Sequence, residues 1–246
     1  MRLTQLLGGK LSPDSMTNRQ RQAWLKPFEL LRGKWHEVPA GNARVTTQEL
    51  VKLSDDDLVK RWKEIREAAT TSSNFSVRGW YHLIYRDVLR GKKVMDVGSG
   101  LGIDGITFAQ HGVRLTFVDI VESNLQVLQR LCRQLSLSNV EFHYMYDIES
   151  LHQLPQDFDV IWCQGSLINA PIDVIRAEAQ GLLKHLPVGG RWIELAYPKE
   201  RWIRDGRMPF DQWGSLTEGG APWVEWKDMK KMLSILAPAR FEPVLH

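Results

Sequence analysis

From residue 92 onward, short β-branched runs alternate with stretches of helical periodicity, and this alternation constrains the fold more than any other feature. The runs "KKVMDVG", "VRLTFVDI", "NVEFHYMY", "FDVIWCQ" and "GRWIELAYP" are typical of strands, and "ESNLQVLQRLCRQLS" and "PIDVIRAEAQGLLKHL" are typical of the helices between them. Strands and helices in strict succession form βαβ units. With "RFEPVL" as a sixth strand, the sequence predicts an α/β fold with a mainly parallel sheet and helices on both faces.

The N-terminal part of the chain lacks this alternation. Its clearest element is "SDDDLVKRWKEIREA", a predicted helix with Ser54 as its cap and three acids in the first turn. A second helix, "SNFSVRGWYHLIYRDVLRG", is closed by Gly91. We therefore expect a helical extension or cap over residues 1–77 and an α/β domain over 78–246.

Composition excludes several classes of protein. The 246 residues are 43% apolar and 25% charged, as in an ordinary globular protein. A net charge of +3 is too small to favour nucleic acid as a partner. Two cysteines without metal spacing, no apolar run of about 18 residues and no signal-peptide pattern predict a cytoplasmic protein that does not bind membranes.

The turn after the first strand, "KKVMDVGSGLGIDG", contains the main functional signal, and two interpretations of it compete. Gly100, Gly102 and Gly105 fit the dinucleotide pattern GxGxxG, with Asp119 near the place of a ribose-binding acid. Alternatively, Asp96 ends the strand and glycines follow at every second position. A carboxylate under the turn would repel a pyrophosphate but attract an ammonium or a sulfonium. S-adenosylmethionine has both cations and no phosphate, so Asp96 favours the second interpretation.

The stretch "VMDVGSGLG" resembles the first motif of class I S-adenosylmethionine-dependent methyltransferases. Later features follow in the order of that family: "LTFVDI", "HYMYDIE", "FDVIWCQGSL" and "LLKHLPVGGRWIELAYP". The resemblance covers roughly residues 78–246. It implies a Rossmann-like, doubly wound sheet of six or seven strands, with S-adenosyl-L-methionine as the cofactor. No counterpart of the family's seventh strand follows "RFEPVLH": the strand could be lacking, the chain could be shortened, or the N-terminal region or a homodimer could cover the sheet edge beside the fifth strand.

The resemblance also implies the cofactor contacts. Asp119 would hold the ribose hydroxyls, and Asp147 with Ile148 would contact the adenine. The predicted cofactor-binding residues are Asp96, Gly98, Gly100, Gly102, Asp119, Ile120, Asp147, Ile148, Gln164 and Gly165. Simpler roles stay open, since Asp119 could cap a helix and Asp147 could be a solvated turn residue.

No strong general base is visible. The "[ND]PP[YFW]" stretch of nucleobase-modifying relatives is replaced by "CQGS", and "SLINAP" lacks the histidine of many small-molecule relatives. No metal-ligand spacing occurs, so we expect no metal. Asn169 and Tyr197 are the catalytic candidates, by position alone.

Substrate contacts are expected from two aromatic regions. A lid-like insertion at about 198–226 combines tryptophans with acids, which suits a sugar or an amine. The helix before the first strand adds further aromatic residues, although both regions could instead pack against the body. The predicted substrate-binding residues are Tyr81, Tyr85, Trp202, Trp223 and Glu225.

The sequence thus predicts a methyltransferase acting on nitrogen or oxygen of a small-molecule acceptor, with a sugar or amino sugar as the leading acceptor. Three alternatives stay open: an NAD-type oxidoreductase, an RNA- or protein-directed methyltransferase, and a catalytically silent scaffold of the same fold.

Overall fold

A computed structural model describes residues 28–40, 43–70, 80–217 and 219–244. The described N-terminal part begins with helix α1 (28–35) and a hairpin of antiparallel strands β1 (Glu37–Ala40) and β2 (Ala43–Thr46). Helix α2 (Thr47–Lys52) follows directly. It starts with a capping box, in which the Thr46 and Glu49 side chains accept hydrogen bonds from each other's backbone N–H groups.

The two helices predicted before the sheet are present. In α3 (Asp55–Thr70), Ser54 Oγ accepts a hydrogen bond from Asp57 N at 3.2 Å, and Leu58, Trp62 and Ile65 are buried at helical spacing. The second is α4 (Trp80–Val88), whose predicted first turns lie outside the described residues. The predicted domain boundary near residue 78 falls in the same undescribed stretch, so it stays a prediction.

The core of the fold is a five-stranded parallel sheet. Its strands are β3 (Lys93–Val97), β4 (Arg114–Asp119), β5 (Val140–Tyr144), β6 (Val160–Gln164) and β7 (Arg191–Leu195). Their spatial order is β5-β4-β3-β6-β7, and every pair is parallel. The winding direction therefore reverses between β3 and β6, and ligands of such sheets bind beyond the carboxyl ends of the strands at that point.

Helices cover both faces of the sheet, as predicted. They are α5 (Ile103–Gln110), α6 (Glu122–Gln134), a 3₁₀ turn η1 (Glu149–Gln153) and α7 (Ile172–Leu183). One core cluster packs α3, α5 and α6 on the sheet and includes Trp62, Phe108 and Trp162. The other packs α1 and α7 on the opposite face and includes Phe28 and Ile175. Because both faces are buried, the strands are apolar on both sides.

The predicted strand count of six or seven is wrong, because the described residues form five strands in this sheet. Residues 240–244 of the stretch "RFEPVL" form no strand, and Leu245 lies outside the described residues. Residues 240 and 242–244 are exposed, and Pro243 has no N–H to donate to a ladder. Of residues 240–244, only Phe241 packs partly against the core, and Val244 is 94% exposed. Helix α10 (Met229–Leu236), by contrast, packs on α7, and Gln180 Nε2 donates to Ile235 O at 2.9 Å.

The predicted insertion at about 198–226 is folded rather than structureless. It contains α8 (Lys199–Arg204), α9 (Phe210–Trp213) and a 3₁₀ turn η2 (Gly214–Leu216) around its own small core of Trp213, Ala221 and Val224. Its last part runs beside the chain just after β7, in an isolated parallel bridge between Tyr197 and Trp226, and Lys227 N donates to Tyr197 O at 2.9 Å. Among the described helices, none has the length and apolar character needed to cross a membrane.

Candidate active site

The glycine turn after β3 lies at the carboxyl edge of the sheet. Gly98, Gly100 and Gly102 all have positive φ angles, of 72°, 53° and 62°, which only glycine adopts readily. A Cβ on Gly98 would lie 2.4 Å from Ser166 Cβ, so the turn packs closely against the loop after β6. A Cβ on Gly100 would meet no atom within 4 Å. The backbone therefore faces open space at Gly100, where a ligand can approach it.

Asp96 lies under this turn and is only 5% exposed. A Cβ on Gly105 would lie 2.7 Å from Asp96 Oδ2, so the carboxylate reaches the first turn of α5. Asp104, in that same turn, is 6% exposed. In a dinucleotide site the pyrophosphate lies at this helix N-terminus. In this protein, the carboxylates of Asp96 and Asp104 lie at the N-terminus of α5. They would repel phosphates, which disfavours the dinucleotide interpretation.

Asp119 ends β4 and is held by an array of hydrogen bonds. Oδ2 accepts from Gly100 N at 2.9 Å, and Oδ1 accepts from Val121 N at 2.8 Å. Asn124 Nδ2 lies 3.3 Å from each oxygen. The carboxylate thus links the end of β4 to the glycine turn of β3. This geometry fixes its orientation at the edge of the open space.

Burial raises the pKa of Asp119 to about 6, although hydrogen bonds from Val121, Gly100, Asn124 and Ile120 oppose that shift. The carboxylate is only 4% exposed, so removal from water dominates the balance. A ligand that donates further hydrogen bonds would stabilise the ionised form. Ribose hydroxyls are donors of this kind.

Asp147 and Ile148 follow β5 as predicted, and each has a structural partner. Asp147 Oδ1 accepts from Ser150 N at 2.7 Å and so begins the 3₁₀ turn η1. Ile148 packs on α7, because a Cβ on Gly181 would lie 2.9 Å from Ile148 Cγ2. Ile120, which follows β4, is half-buried against the core cluster that packs α1 and α7 on the sheet. The adenine contacts predicted for these residues stay predictions.

The end of β6 carries polar atoms without partners. Gln164 Oε1 and Ser166 Oγ are buried and have no hydrogen-bond partner. Buried polar atoms are normally hydrogen-bonded, so these two oxygens have acceptor capacity that a ligand could use. A Cβ on Gly165 would meet no atom within 4 Å, as at Gly100. Asn169 Nδ2 donates to Gly165 O at 3.0 Å and supports this loop.

The side chains of the predicted lid residues mainly contact other residues of the insertion and α10. Trp202 Nε1 donates to Met208 O at 2.8 Å, and its ring centroid lies 5.7 Å from that of Phe210. Glu225 is 2% exposed and accepts hydrogen bonds from Trp223 Nε1 and Lys231 Nζ. These contacts give all three predicted lid residues a packing role. Their predicted contacts with a substrate stay predictions.

The remaining candidates lie at the borders of the site. The Tyr197 ring packs edge-on against Trp213 at 5.8 Å, and Tyr85 packs edge-on against Trp162 at 5.1 Å. The side chain of Tyr81 lies outside the described residues. Among the described residues, no group of histidine, cysteine or acidic side chains could hold a metal ion.

Sequence reasoning missed three residues that border the site. Ser166 could have been found, because it directly follows Gly165 in the loop after a strand. The signal for Asn124 was weaker, because it consisted only of a position five residues after Asp119. Arg32 gave no local signal: it donates to the backbone of Ile120, 88 residues away in the sequence.

Comparison with known proteins agrees with this geometry. Residues 94–190 match the model of a methyltransferase domain. A ubiquinone biosynthesis O-methyltransferase of Pseudomonas fluorescens is 40% identical over 91 residues, and one of Coxiella burnetii is 39% identical over 83 residues. These matches cover 36% and 34% of this chain, and 39% and 35% of the relatives' own lengths. The chain therefore matches well under half of each relative.

Solved structures show the same fold. An N-methyltransferase of Bradyrhizobium japonicum, solved with S-adenosyl-L-homocysteine, superposes with a TM-score of 0.50 at 17% identity, over 78% of this chain and 83% of that one. A protein of echinomycin biosynthesis superposes with a TM-score of 0.51 at 19% identity, over 65% and 66% of the two chains. Over residues 94–190 the chain thus matches a methyltransferase domain, in agreement with the motifs that resemble the class I, S-adenosylmethionine-dependent family.

Proposed function

We propose that this protein is an S-adenosylmethionine-dependent methyltransferase that acts on an oxygen or nitrogen atom of a small metabolite. The observation that carries this proposal is the buried Asp96 carboxylate at the first turn of α5, where it contacts Gly105. A negative charge at that position favours a cationic methyl donor over a dinucleotide. The two buried free thiols, Cys132 and Cys163, support a reducing, cytoplasmic location.

The residues around the glycine turn fit this cofactor. Asp119 would accept hydrogen bonds from the ribose hydroxyls, and the open space at Gly100 and Gly165 would admit the ligand close to the backbone. Gln164 Oε1 and Ser166 Oγ, which lack partners, could accept hydrogen bonds from the cofactor's ammonium group. When bound, the cofactor supplies an electrophilic methyl group on a sulfonium.

The chain's own contribution to the reaction is alignment and exclusion of water. Holding two reactants in line can supply roughly 7–11 kcal/mol of the barrier without covalent help. The insertion is suited to enclosing the acceptor, because Glu225 N donates to Ile168 O at 2.7 Å and fixes the insertion to the loop after β6. The names of the curated relatives favour oxygen as the methylated atom.

The sugar or amino sugar was predicted from the aromatic and acidic residues of the insertion. Since Trp202, Trp223 and Glu225 contact other residues of the insertion and α10, a sugar has no stronger claim than other small hydroxyl compounds. We therefore propose a small hydroxyl-bearing acceptor, with an amine as the second candidate.

Calorimetry with S-adenosylhomocysteine and with NAD tests the cofactor. We expect binding of the first and none of the second; the reverse result would contradict the proposal. Transfer of a labelled methyl group to pools of small hydroxyl compounds, small amines, RNA and protein then tests the acceptor. Label in RNA or protein alone, or tight cofactor binding with no labelled product, would refute the small-molecule assignment.

A further inference from the structure

Arg32 of α1 joins the ends of two strands at the edge of the candidate site. Its Nε donates to Ile120 O at 3.1 Å, and its Nη2 donates to Tyr146 O. Ile120 directly follows Asp119, and Tyr146 directly precedes Asp147. One guanidinium therefore holds the backbones beside both acids that the sequence assigns to the cofactor's nucleoside. Its Cζ also lies 5.9 Å from the ring centroid of Tyr144 on β5.

A second contact connects α1 with the Asp119 carboxylate itself. Asn124 is 1% exposed, and its Nδ2 lies 3.3 Å from each Asp119 oxygen and 3.4 Å from Trp35 O at the end of α1. The Asn124 side chain thus lies between the extension and the acid. Its Oδ1 is buried without a hydrogen-bond partner. A buried amide with an unused acceptor is costly, so packing alone is a poor explanation for asparagine here.

The segment after α1 fixes the helix in this position. Ser123 Oγ lies 3.2 Å from His36 Nδ1 and 3.0 Å from Thr47 Oγ1. Phe28 and Leu31 of α1 are 3% and 8% exposed within the core cluster that includes Met145. Apolar burial and hydrogen bonds therefore place α1 against the ends of β4 and β5.

We propose that α1 is a positioning element of the nucleoside pocket, in which Arg32 holds the ends of β4 and β5 together and Asn124 orients Asp119. This inference rests on the proposed function, because it assigns a role towards the same cofactor. It adds residues of the N-terminal extension to a site otherwise built by the sheet. Docking of α1 and cofactor binding then support each other, since coupling between two binding events is reciprocal.

The groups around Asp119 make Asn124 a distinctive test position. Burial and hydrogen bonds are the main influences on the pKa of Asp119, and Asn124 is one of the donors that lower this pKa. The charged or titratable groups close in sequence to the contacts of Asp119 and Asn124 include Arg32, His36, Asp96, Glu122 and Asp147. None of these five is among the main causes of the shift. Loss of the Asn124 amide should therefore raise the pKa of Asp119 further.

The first experiment compares Arg32→Met with Lys34→Met. Both residues lie in α1, but Lys34 pairs with Glu37 of the β1–β2 hairpin and not with the ends of β4 or β5. We expect Arg32→Met to weaken S-adenosylhomocysteine binding about tenfold, the effect of one lost charge-assisted hydrogen bond, and Lys34→Met to leave it unchanged. Equal affinities of Arg32→Met and the wild type would overturn the role of Arg32. No binding by the wild type would instead overturn the proposed function.

The second experiment compares Asn124→Leu with Asn139→Leu. Asn139 Nδ2 also makes structural hydrogen bonds, donating to Ala109 O at 2.9 Å and to Val113 O at 2.6 Å, away from Asp119. Both variants should lower Tm, so Tm alone does not separate the two roles. The affinity for S-adenosylhomocysteine should fall as the pH drops below a midpoint. Only Asn124→Leu should shift that midpoint to a higher pH. An unchanged midpoint in Asn124→Leu would overturn its positioning role.

Discussion

At the scale of single residues, the candidate site is decided by where a few carboxylates lie relative to glycines. Asp96 approaches the first turn of α5 because Gly105 has no side chain. Asp119 binds the N–H of Gly100 and so faces the open part of the glycine turn. Both acids are buried, and a specific prediction follows from the position of each.

The affinity for S-adenosylhomocysteine should fall as the pH drops below about 6. The pKa of Asp119 is raised to about 6 in the free protein, and ribose hydroxyls would favour the ionised form. Binding at lower pH must therefore release a proton, which weakens affinity by up to about tenfold per pH unit. Calorimetry between pH 5 and pH 8 measures this. In Asp119→Asn, binding should be weaker at pH 8 and independent of pH; a pH dependence like that of the wild type would exclude Asp119 as its source.

Gly105→Ala should destabilise the protein by about 1–3 kcal/mol, because the added methyl group overpacks the site. Its Cβ would lie 2.5 Å from Phe117 Cε1 as well as 2.7 Å from Asp96 Oδ2. Gly33→Ala is the matched control, because Gly33 is also helical but its Cβ would meet no atom within 4 Å. That change should stabilise by about 0.5–1 kcal/mol through helix propensity. Urea unfolding of both variants measures the contrast, and a stabilising Gly105→Ala would contradict the close approach.

At the scale of elements, the insertion is fastened by two arrangements of the same kind. The Glu225 carboxylate lies between Lys231 Nζ and Trp223 Nε1. The Glu194 carboxylate of β7 lies between Lys227 Nζ and Trp192 Nε1. Each carboxylate thus accepts from one ammonium and one indole. The segment that ends the insertion is therefore fixed to β7 and α10 by buried charges.

Lys227→Met should destabilise the protein by about 3–5 kcal/mol, since it leaves a buried carboxylate without its cation. The Lys227 and Glu194 side chains are each 3% exposed. Burial raises the pKa of the nearby Glu178 to about 8, a shift that Lys227 opposes and Glu194 increases. Without Lys227, Glu178 should hold its proton to still higher pH.

Arg61→Met is the control for this change. Arg61 and Glu64 form an ion pair whose side chains are 41% and 51% exposed, so its loss should cost less than about 1 kcal/mol. Urea unfolding at pH 7 compares the two variants. Equal effects would mean that the Lys227–Glu194 pair is not buried as described.

At the scale of the whole molecule, the sheet, the extension and the insertion meet around one edge. Both faces of the sheet are packed by separate core clusters, which leaves the carboxyl ends of the strands as the natural ligand site. Trp35 connects the other two parts, because it packs on the insertion's core and lies 3.3 Å from a Cβ placed on Gly219.

S-adenosylhomocysteine should therefore stabilise the molecule as a whole. A ligand at 100 times its Kd adds about 2.7 kcal/mol to the free energy of unfolding. For a chain of this size, that corresponds to a rise in Tm of about 5–10 °C. Differential scanning calorimetry should show this rise with S-adenosylhomocysteine and none with NAD at the same concentration. A rise with NAD alone would contradict the proposed cofactor.

Much of the fold could be predicted because its signals are local. The five parallel strands and the helices α3, α4, α6 and α7 were visible as periodicity, caps and glycine stops, whereas α1 had no such pattern. The error at "RFEPVL" arose because a short apolar run has the same local pattern whether or not a partner strand covers it. Apolar burial depends on neighbours that the run itself does not specify.

The sequence by itself determined the order of strands and helices, the glycine turn and the acids at the strand ends, because backbone freedom and charge belong to single residues and short spacings. Only the tertiary structure decided which partners those acids have, that the insertion folds around its own tryptophans, and that Arg32 reaches the ends of β4 and β5. The physical reason is distance along the chain. Contacts between residues some 90 or 110 positions apart depend on how whole elements pack, and no local pattern encodes that packing.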